Sequence, residues 1–531
     1  MTGKGREGKP CLLIGVMAAA LLLAGCGAQG GSAATGQPAT EQPAAQESTA
    51  QADAAQESGA QADAAQESAV QADAAQESAA QADAAQESAA QADAAQEAAG
   101  KEAAGQTAAD QAGTEQSSAK EADGESAEIH IEPIAGLRDD FIRGVDISSV
   151  LAEEASGVVY YNEEGQEQDV FQTFAENGVN YVRVRVWNDP YDENGKGYGG
   201  GNCDTAAAAE IGSRAAKQQM KLLVNYHYSD FWADPSKQMC PKAWEGMEIE
   251  EKAEALYAFT VESLREILDA GADVGMVQIG NEINNGMAGE TSWSARGLLL
   301  QAGARAVRDV SEERGQEMRI AVHFTDIADQ TGTLALAQKL KEKEVDYDIF
   351  AVSYYPFWHG TMENLTDTLR KVNEAYGKDT LVVENSYPYT AGDGDGTANS
   401  IGASDILPEY PATAQGQAEQ IRDVCAAVAA VGDAGLGYFY WEPAWLPVNV
   451  WEKGAADADE ILAANREAWE EKGAGWASSY ASGYDPKDAG KYYGGSSWDN
   501  QALFDYSGHP LESLKVFRYL QSGMPESGDA E

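Results

Sequence analysis

Basic residues are scarce in this chain. Against 87 Asp and Glu, its 531 residues include 36 Lys and Arg and 5 His, a formal net charge of −51. Phosphate backbones are bound by clustered Lys and Arg, so this balance excludes nucleic acid as a partner and suits a neutral substrate. It also serves solubility at a cell surface. Cysteine is equally rare, at 5 residues. Cys203, Cys240 and Cys425 are the three beyond the N-terminal region, an odd number that allows at most one internal bridge. Nearly all the Trp, Tyr, Phe and Ile lie after about residue 130, so only the later part can bury enough apolar surface to offset chain entropy.

The N-terminus reads as an export signal. Lys4, Arg6 and Lys9 precede an apolar run from Cys11 to Leu23, too short to span a bilayer comfortably as a permanent helix. The run ends in Leu23-Ala24-Gly25-Cys26, which resembles a bacterial lipobox and implies cleavage before Cys26 and lipidation of its thiol. An ordinary secretory signal with an incidental cysteine is the alternative. From Ala45 a unit of the form AQESAAQADA recurs with period ten. With one Glu, one Asp and no large apolar residue per unit it has nothing to bury, and is expected to form a disordered, Ala-rich tether. About a hundred such residues give an r.m.s. reach of roughly 50–60 Å. The expected organisation is a lipoprotein signal over residues 1–26, a linker over 27–136, a catalytic domain over 137–525 and a tail over 526–531. The protein is then extracellular, held at the bacterial cell surface by lipid alone, and monomeric.

After Gly136 the chain alternates between short β-rich runs and helical stretches. Eight candidate strands begin at Phe141, Tyr181, Lys221, Val274, Arg319, Tyr347, Thr380 and Gly435, with helix patterns such as TAAAAEIGSRAAKQQM between them. Eight β-then-α units over roughly 385 residues predict an α/β fold, a (β/α)8 TIM barrel with enlarged βα loops. A doubly wound sheet is the other arrangement of such units. The barrel is favoured because almost every run starts apolar and ends in Asp, Arg, Trp, Asn, His, Glu or Tyr, and barrel active sites sit at the C-terminal strand ends.

Two strand ends carry carboxylates. The fourth ends Gly280-Asn281-Glu282 and the seventh Val383-Glu384-Asn385. Facing carboxylates are the minimum apparatus for glycosidic cleavage, one protonated to expel the leaving oxygen and one ionised beside the anomeric carbon. The pair resembles clan A of the glycoside hydrolases, in which the strand-four Glu is acid/base and the strand-seven Glu is nucleophile. Longer strings sharpen the resemblance: the segment from GVDISSV to RVRVWNDP, NYHYSDFWADPSKQMCPKAW, QIGNEINNG, VSYYPFW, VVENSYPYT, YFYWEPAW and WDNQALFDYSGHPLESL. Together, from about Phe141 to Tyr519, they are similar to glycoside hydrolase family 53, the arabinogalactan endo-β-1,4-galactanases. That resemblance implies retention of anomeric configuration and a β-1,4-galactan substrate from pectic side chains. Glu282 and Glu384 are then catalytic. Asp146, Arg185, His227, Asn281, Tyr354, Trp232 and Trp441 are assigned to substrate binding, with Arg185 orienting Glu384, Tyr354 touching the same carboxylate and Asn281 meeting the sugar 2-hydroxyl.

Trp187, Trp358, Trp445 and Trp498 also fall at strand ends or in the loops beyond, where packing and sugar stacking compete. The stretch Asp393-Gly394-Asp395-Gly396-Thr397-Ala398-Asn399 alternates oxygen ligands with glycine, which suits a hard cation. Bacterial members of the resembled family have calcium in this loop on a D-x-D-x-H-x-N pattern. Ca2+ held by Asp393, Asp395 and Asn399 is therefore the expected structural cofactor, with Thr397 replacing the histidine; a solvated acidic turn is the alternative. Cys203 and Cys240 fall in segments read as neighbouring loops, where they could pair, and Cys425 in an apolar helix is expected to be a buried thiol. Two other functions remain open at this point. One is a lipid-anchored carbohydrate-binding protein. The other is a different clan A endo-β-1,4-glycanase such as a mannanase or cellulase, since loops set the sugar.

Overall fold

The computed structural model describes residues 129–524, apart from Gly490 and Tyr492. The export signal, Cys26 and nearly all of the linker lie outside the described residues. Eight parallel strands close into a barrel in chain order: β1 Ile142–Asp146, β2 Tyr181–Val186, β3 Lys221–Tyr226, β4 Val274–Ile279, β5 Arg319–Phe324, β6 Ile349–Ser353, β7 Asp379–Glu384 and β8 Gly435–Trp441. β8 pairs with β1 through Ile142 to Asp146, closing the sheet. Seven strands fall within the runs expected for them, and β7 starts one residue before its run, at Asp379.

Period-two alternation divides every strand between two environments. Val182, Val184 and Val186 of β2, with Leu222, Val224 and Tyr226 of β3, face the helices and join the main apolar core. The inward set starts apolar: Tyr181, Leu223, Met276, Ala321, Ala351, Leu381 and Phe439 form a separate cluster. Gly144 of β1 belongs to this layer, because a Cβ there would lie 2.2 Å from the Phe439 ring. Two residues further along β1 to β6 the same face turns polar and buried, at Asp146, Arg183, Asn225, Gln278, His323 and Ser353. A barrel interior that runs from apolar to polar in one pleat repeat places its chemistry at the C-terminal mouth.

Two expectations are corrected here. Residues 129–136, assigned to the linker, include the buried Ile129, Ile131 and Ile134, and Ile131 bridges Met524 in antiparallel fashion. Those isoleucines cover apolar surface near the C-terminus, so the folded unit begins before Leu137. Cys203 and Cys240 are both free thiols. Cys203 is buried with Sγ directed at the Gly200 carbonyl, 3.1 Å away. Cys425 is buried as expected.

Candidate active site

Glu282 stands just past β4 in a left-handed backbone conformation (φ 45°), after Gly280 at φ 93°. Positive φ disfavours a non-glycine residue and persists where surrounding structure enforces it. The sharp turn directs the half-buried Glu282 carboxyl toward β6, where Ser353 Oγ donates to its Oε1 at 2.7 Å. Burial, then the charge of Glu384, holds Glu282 well above the ordinary carboxylate range.

Glu384 ends β7 in a different environment. Arg183 Nη2 lies 2.8 Å from its Oε1, and Tyr355 Oη is 3.5 Å from its Oε2. Burial pushes this carboxyl up as well, but the positive charges of Arg183 and Arg185 oppose it. Glu282 has neutral donors beside it, so of the two acids Glu384 is the one built to be ionised. Arg183 is itself fixed from several sides: Nη1 to Asp146 at 2.9 Å, Nε to Gln278 Oε1 at 3.2 Å and Nη2 to Asn281 Oδ1 at 2.9 Å.

Three sequence assignments therefore change. Arg185 does not hydrogen-bond Glu384; one pleat repeat nearer the mouth than Arg183, it meets Glu442 at 2.6 Å and lies 4.5 Å from the Trp232 ring centroid. Tyr354 does not touch the nucleophile candidate's side chain. Alternation after the inward Ser353 turns it outward, where its hydroxyl donates to the Gly360 carbonyl and it lines a separate groove, leaving the inward place to Tyr355. Asp146 is fully buried and, instead of lining the cleft, holds Arg183 and accepts from the Ser148 hydroxyl at 2.5 Å.

The remaining residues converge. A cleft of about 320 Å³ is lined by Glu282, Glu384, Asn281, His227, Trp232 and Trp441, together with Arg185, Tyr355, Trp358, Trp476 and Trp498. His227 Nδ1 accepts from Trp187 Nε1 at 3.1 Å and from the Ala233 amide at 3.2 Å. Two fixed donors at Nδ1 place the proton on Nε2, which is buried with no protein partner. Burial and the nearby guanidiniums hold this histidine neutral. Trp441 and Trp498 meet edge-on at 4.9 Å, while Trp358 is 52% exposed at the rim. Trp187 and Trp445 are fully buried and pack.

In the loop after β7, Asp393 and Asp395 come together with Asp499, whose ligand oxygens all lie within 4.8 Å of one another. Burial and mutual repulsion raise Asp395 and Asp499 above the ordinary range. Asn399 Oδ1 and Asp499 Oδ1 are buried without a protein partner. Three crowded carboxylates, one of them with an unpaired oxygen, and the unpaired Asn399 oxygen fit a hard divalent cation.

Several site residues escaped the sequence reading. Arg183 shares the inward period of the assigned Arg185, and Ser353 and Tyr355 flank the assigned Tyr354, so period-two counting from the strand ends would have found them; His323 lies on β5, where no residue was assigned. Asp499 had no such signal, because it lies more than a hundred residues from Asp393.

An eight-stranded β/α barrel that sets two unequal carboxyls over an aromatic cleft at the strand ends has the architecture of a glycoside hydrolase. Residues 142–517 match glycosyl hydrolase family 53, and the chain belongs to that family. It is 52% identical over 396 residues to an endo-β-1,4-galactanase of Bacillus subtilis, covering 75% of this chain and 90% of the relative. An arabinogalactan endo-β-1,4-galactanase of Cellvibrio japonicus is 33% identical over 336 residues, 60% of this chain and 86% of that protein. Among solved structures, the family 53 catalytic domain of Ignisphaera aggregans superposes with a TM-score of 0.64 at 38% identity, covering 74% of this chain and all of that one.

Proposed function

We propose that the protein is a retaining endo-β-1,4-galactanase acting on the galactan of pectic type I arabinogalactan. The observation that carries the mechanism is the unequal setting of the two acids, with a guanidinium on Glu384 and a neutral hydroxyl on Glu282. In the first step a Glu384 oxygen attacks the anomeric carbon while the glycosidic C–O bond breaks. The Glu282 proton passes to the departing oxygen. In the second, Glu282 takes a proton from water, whose oxygen displaces Glu384 and regenerates both groups. The Nε2–H of His227 is a ready donor to a sugar hydroxyl, and Asn281 Nδ2, which donates one hydrogen to the Ala233 carbonyl, has a second for the 2-hydroxyl. Trp441, with Trp232 beside it, offers apolar surface to sugar C–H faces.

Asp393, Asp395 and Asp499, with Asn399, would hold a structural Ca2+ that neutralises their charge and pins the loop following Glu384. Cys26 would carry the lipid that anchors the exported monomer to the cell surface, with the repeat segment as tether. Incubating the purified protein with galactan, mannan, glucan and xylan and measuring new reducing ends tests the substrate. Release from galactan is expected; cleavage of mannan or glucan instead would move the specificity to another sugar, and none from any would favour a binding role.

A further inference from the structure

His323 on β5 and Ser353 on β6 are both fully buried beneath Glu282. The backbone N–H of Glu282 points at His323 Nδ1 from 3.4 Å. A backbone N–H can only donate, so Nδ1 is an acceptor and the ring hydrogen sits on Nε2. Gln278 agrees with this polarity. Arg183 Nε and Nη2 donate to its Oε1, which turns the Gln278 NH2 group toward the same Nδ1 at 3.0 Å. Asn281 Oδ1 also lies 3.1 Å from Nδ1, but it already accepts from Arg183 and Asn225. Burial and the charge of Arg183 hold His323 neutral.

From Nε2 the direction of every hydrogen follows. Nε2–H donates to Ser353 Oγ at 2.9 Å, and the serine hydrogen goes to Glu282 Oε1 at 2.7 Å. Since Arg183 also holds Glu384, a single hydrogen-bonded line runs from one acid to the other beneath the cleft: Glu384, Arg183, Gln278, His323, Ser353, Glu282. We propose that Ser353, oriented by His323, is a positioning residue that keeps Glu282 Oε1 an acceptor and so reserves Oε2 for the proton delivered to the leaving group. The inference rests on Glu282 being the acid/base. Other groups acting on Glu282 are the carboxylates of Glu384 and Asp234, and the hydroxyl of Thr325, which His359 Nε2 approaches at 3.2 Å.

A hydroxyl donor favours the ionised form of the carboxyl it touches, so its removal raises the Glu282 pKa and extends the protonated form to higher pH. The test is kcat/KM against pH for the wild type, Ser353→Ala and Ser353→Thr, on galactan and on a dinitrophenyl β-galactobioside. The aryl leaving group departs without a proton. Ser353→Ala is expected to lose roughly ten- to a hundredfold on galactan, the range for one charge-assisted hydrogen bond. Its alkaline limb should move to higher pH, its aryl substrate should stay within about threefold, and Ser353→Thr should recover most of the galactan activity. An unmoved limb with galactan activity within about twofold, or equal losses on both substrates, would overturn the proposal. Should the alanine variant not fold, Ser353→Cys, close in size and a weaker donor, is read by the same criteria. Glu282→Gln run alongside separates the two ideas: if it hydrolyses galactan normally, the acid/base assignment itself has failed.

Discussion

Arg183 Nη2 and Glu384 Oε1 are 2.8 Å apart, and the arginine is held from behind by Asp146 at 2.9 Å. The guanidinium fork serves four partners at once, which an ammonium cannot do. Arg183→Lys is therefore expected to lower kcat on galactan on the order of a hundredfold or more, the scale of losing one partner of a buried ion pair. Lysine keeps the charge but cannot hold all four partners, and a weakened donor to Glu384 raises the Glu384 pKa, so the acid limb of the pH profile should move upward. Steady-state kinetics over pH check both. An unchanged acid limb would deny Arg183 its role in keeping Glu384 ionised.

Glu384→Gly and Glu282→Gln separate the two acids. The first removes the nucleophile and leaves room for azide, so adding azide with an activated β-galactoside should yield the product of a single inversion, the α-galactosyl azide. The second keeps shape but cannot give a proton, and galactan turnover is expected to fall by about 100- to 10,000-fold, the span of general acid catalysis. Near-normal turnover in either variant would dissolve the division of roles.

Calcium is expected to raise the melting temperature and a chelator to lower it. A cation that binds only the folded state at a hundred times its Kd adds about 2.7 kcal/mol. Replacing Asp395 and Asp499 with Asn should erase the difference without touching either acid at the mouth. Identical melting curves in millimolar calcium and in excess chelator would leave the three aspartates as an acidic cluster only.

Glu153, on the helix Val150–Ser156, is fully buried and neither carboxylate oxygen has a protein partner. Burial, then the charges of Glu442 and Asp395, raise its pKa well above the usual value. The folded state thus binds a proton that the unfolded state releases, and stability falls as pH rises above the unfolded pKa. Glu153→Gln mimics the protonated form. It is expected to raise the melting temperature at pH 8, by about 2 °C per kcal/mol gained, and to matter little near pH 4. Calorimetry at the two pH values decides, and an equal effect at both would remove the titration argument.

Cys26→Ser should shift the protein from the membrane fraction to the medium while leaving hydrolysis of soluble galactan unchanged. Fractionation and mass analysis of the N-terminal peptide are the checks. A wild-type protein wholly in the culture fluid without a lipid adduct would remove the anchor.

Much of this fold could be read from the chain because barrel strands are short, β-rich and followed by well-patterned helices, so periodicity alone located all eight. Glu282, Glu384, His227, Asn281, Trp232 and Trp441 were found together at the cleft because strand ends mark the mouth of a barrel. What failed was resolution finer than a strand end. Arg183 and Arg185 share one inward face, and no local pattern says which reaches Glu384; closure of the barrel decides it by bringing Glu442 to Arg185. Tyr354 and Tyr355 differ by one residue, which in a strand is the difference between the two faces. Asp499 joins Asp393 only through tertiary folding, and the three isoleucines of residues 129–136 stand in too short a run, broken by Pro133, to read as an element of the domain.

The most direct test of the account is to trap the glycosyl-enzyme. A 2-deoxy-2-fluoro-β-galactobioside with a dinitrophenolate leaving group should inactivate the protein stoichiometrically, because the fluorine slows turnover of the covalent intermediate more than its formation. Peptide mass spectrometry is predicted to place the adduct on Glu384. An adduct on Glu282, or rapid cleavage with no adduct and with inverted product by NMR, would contradict the double displacement through Glu384.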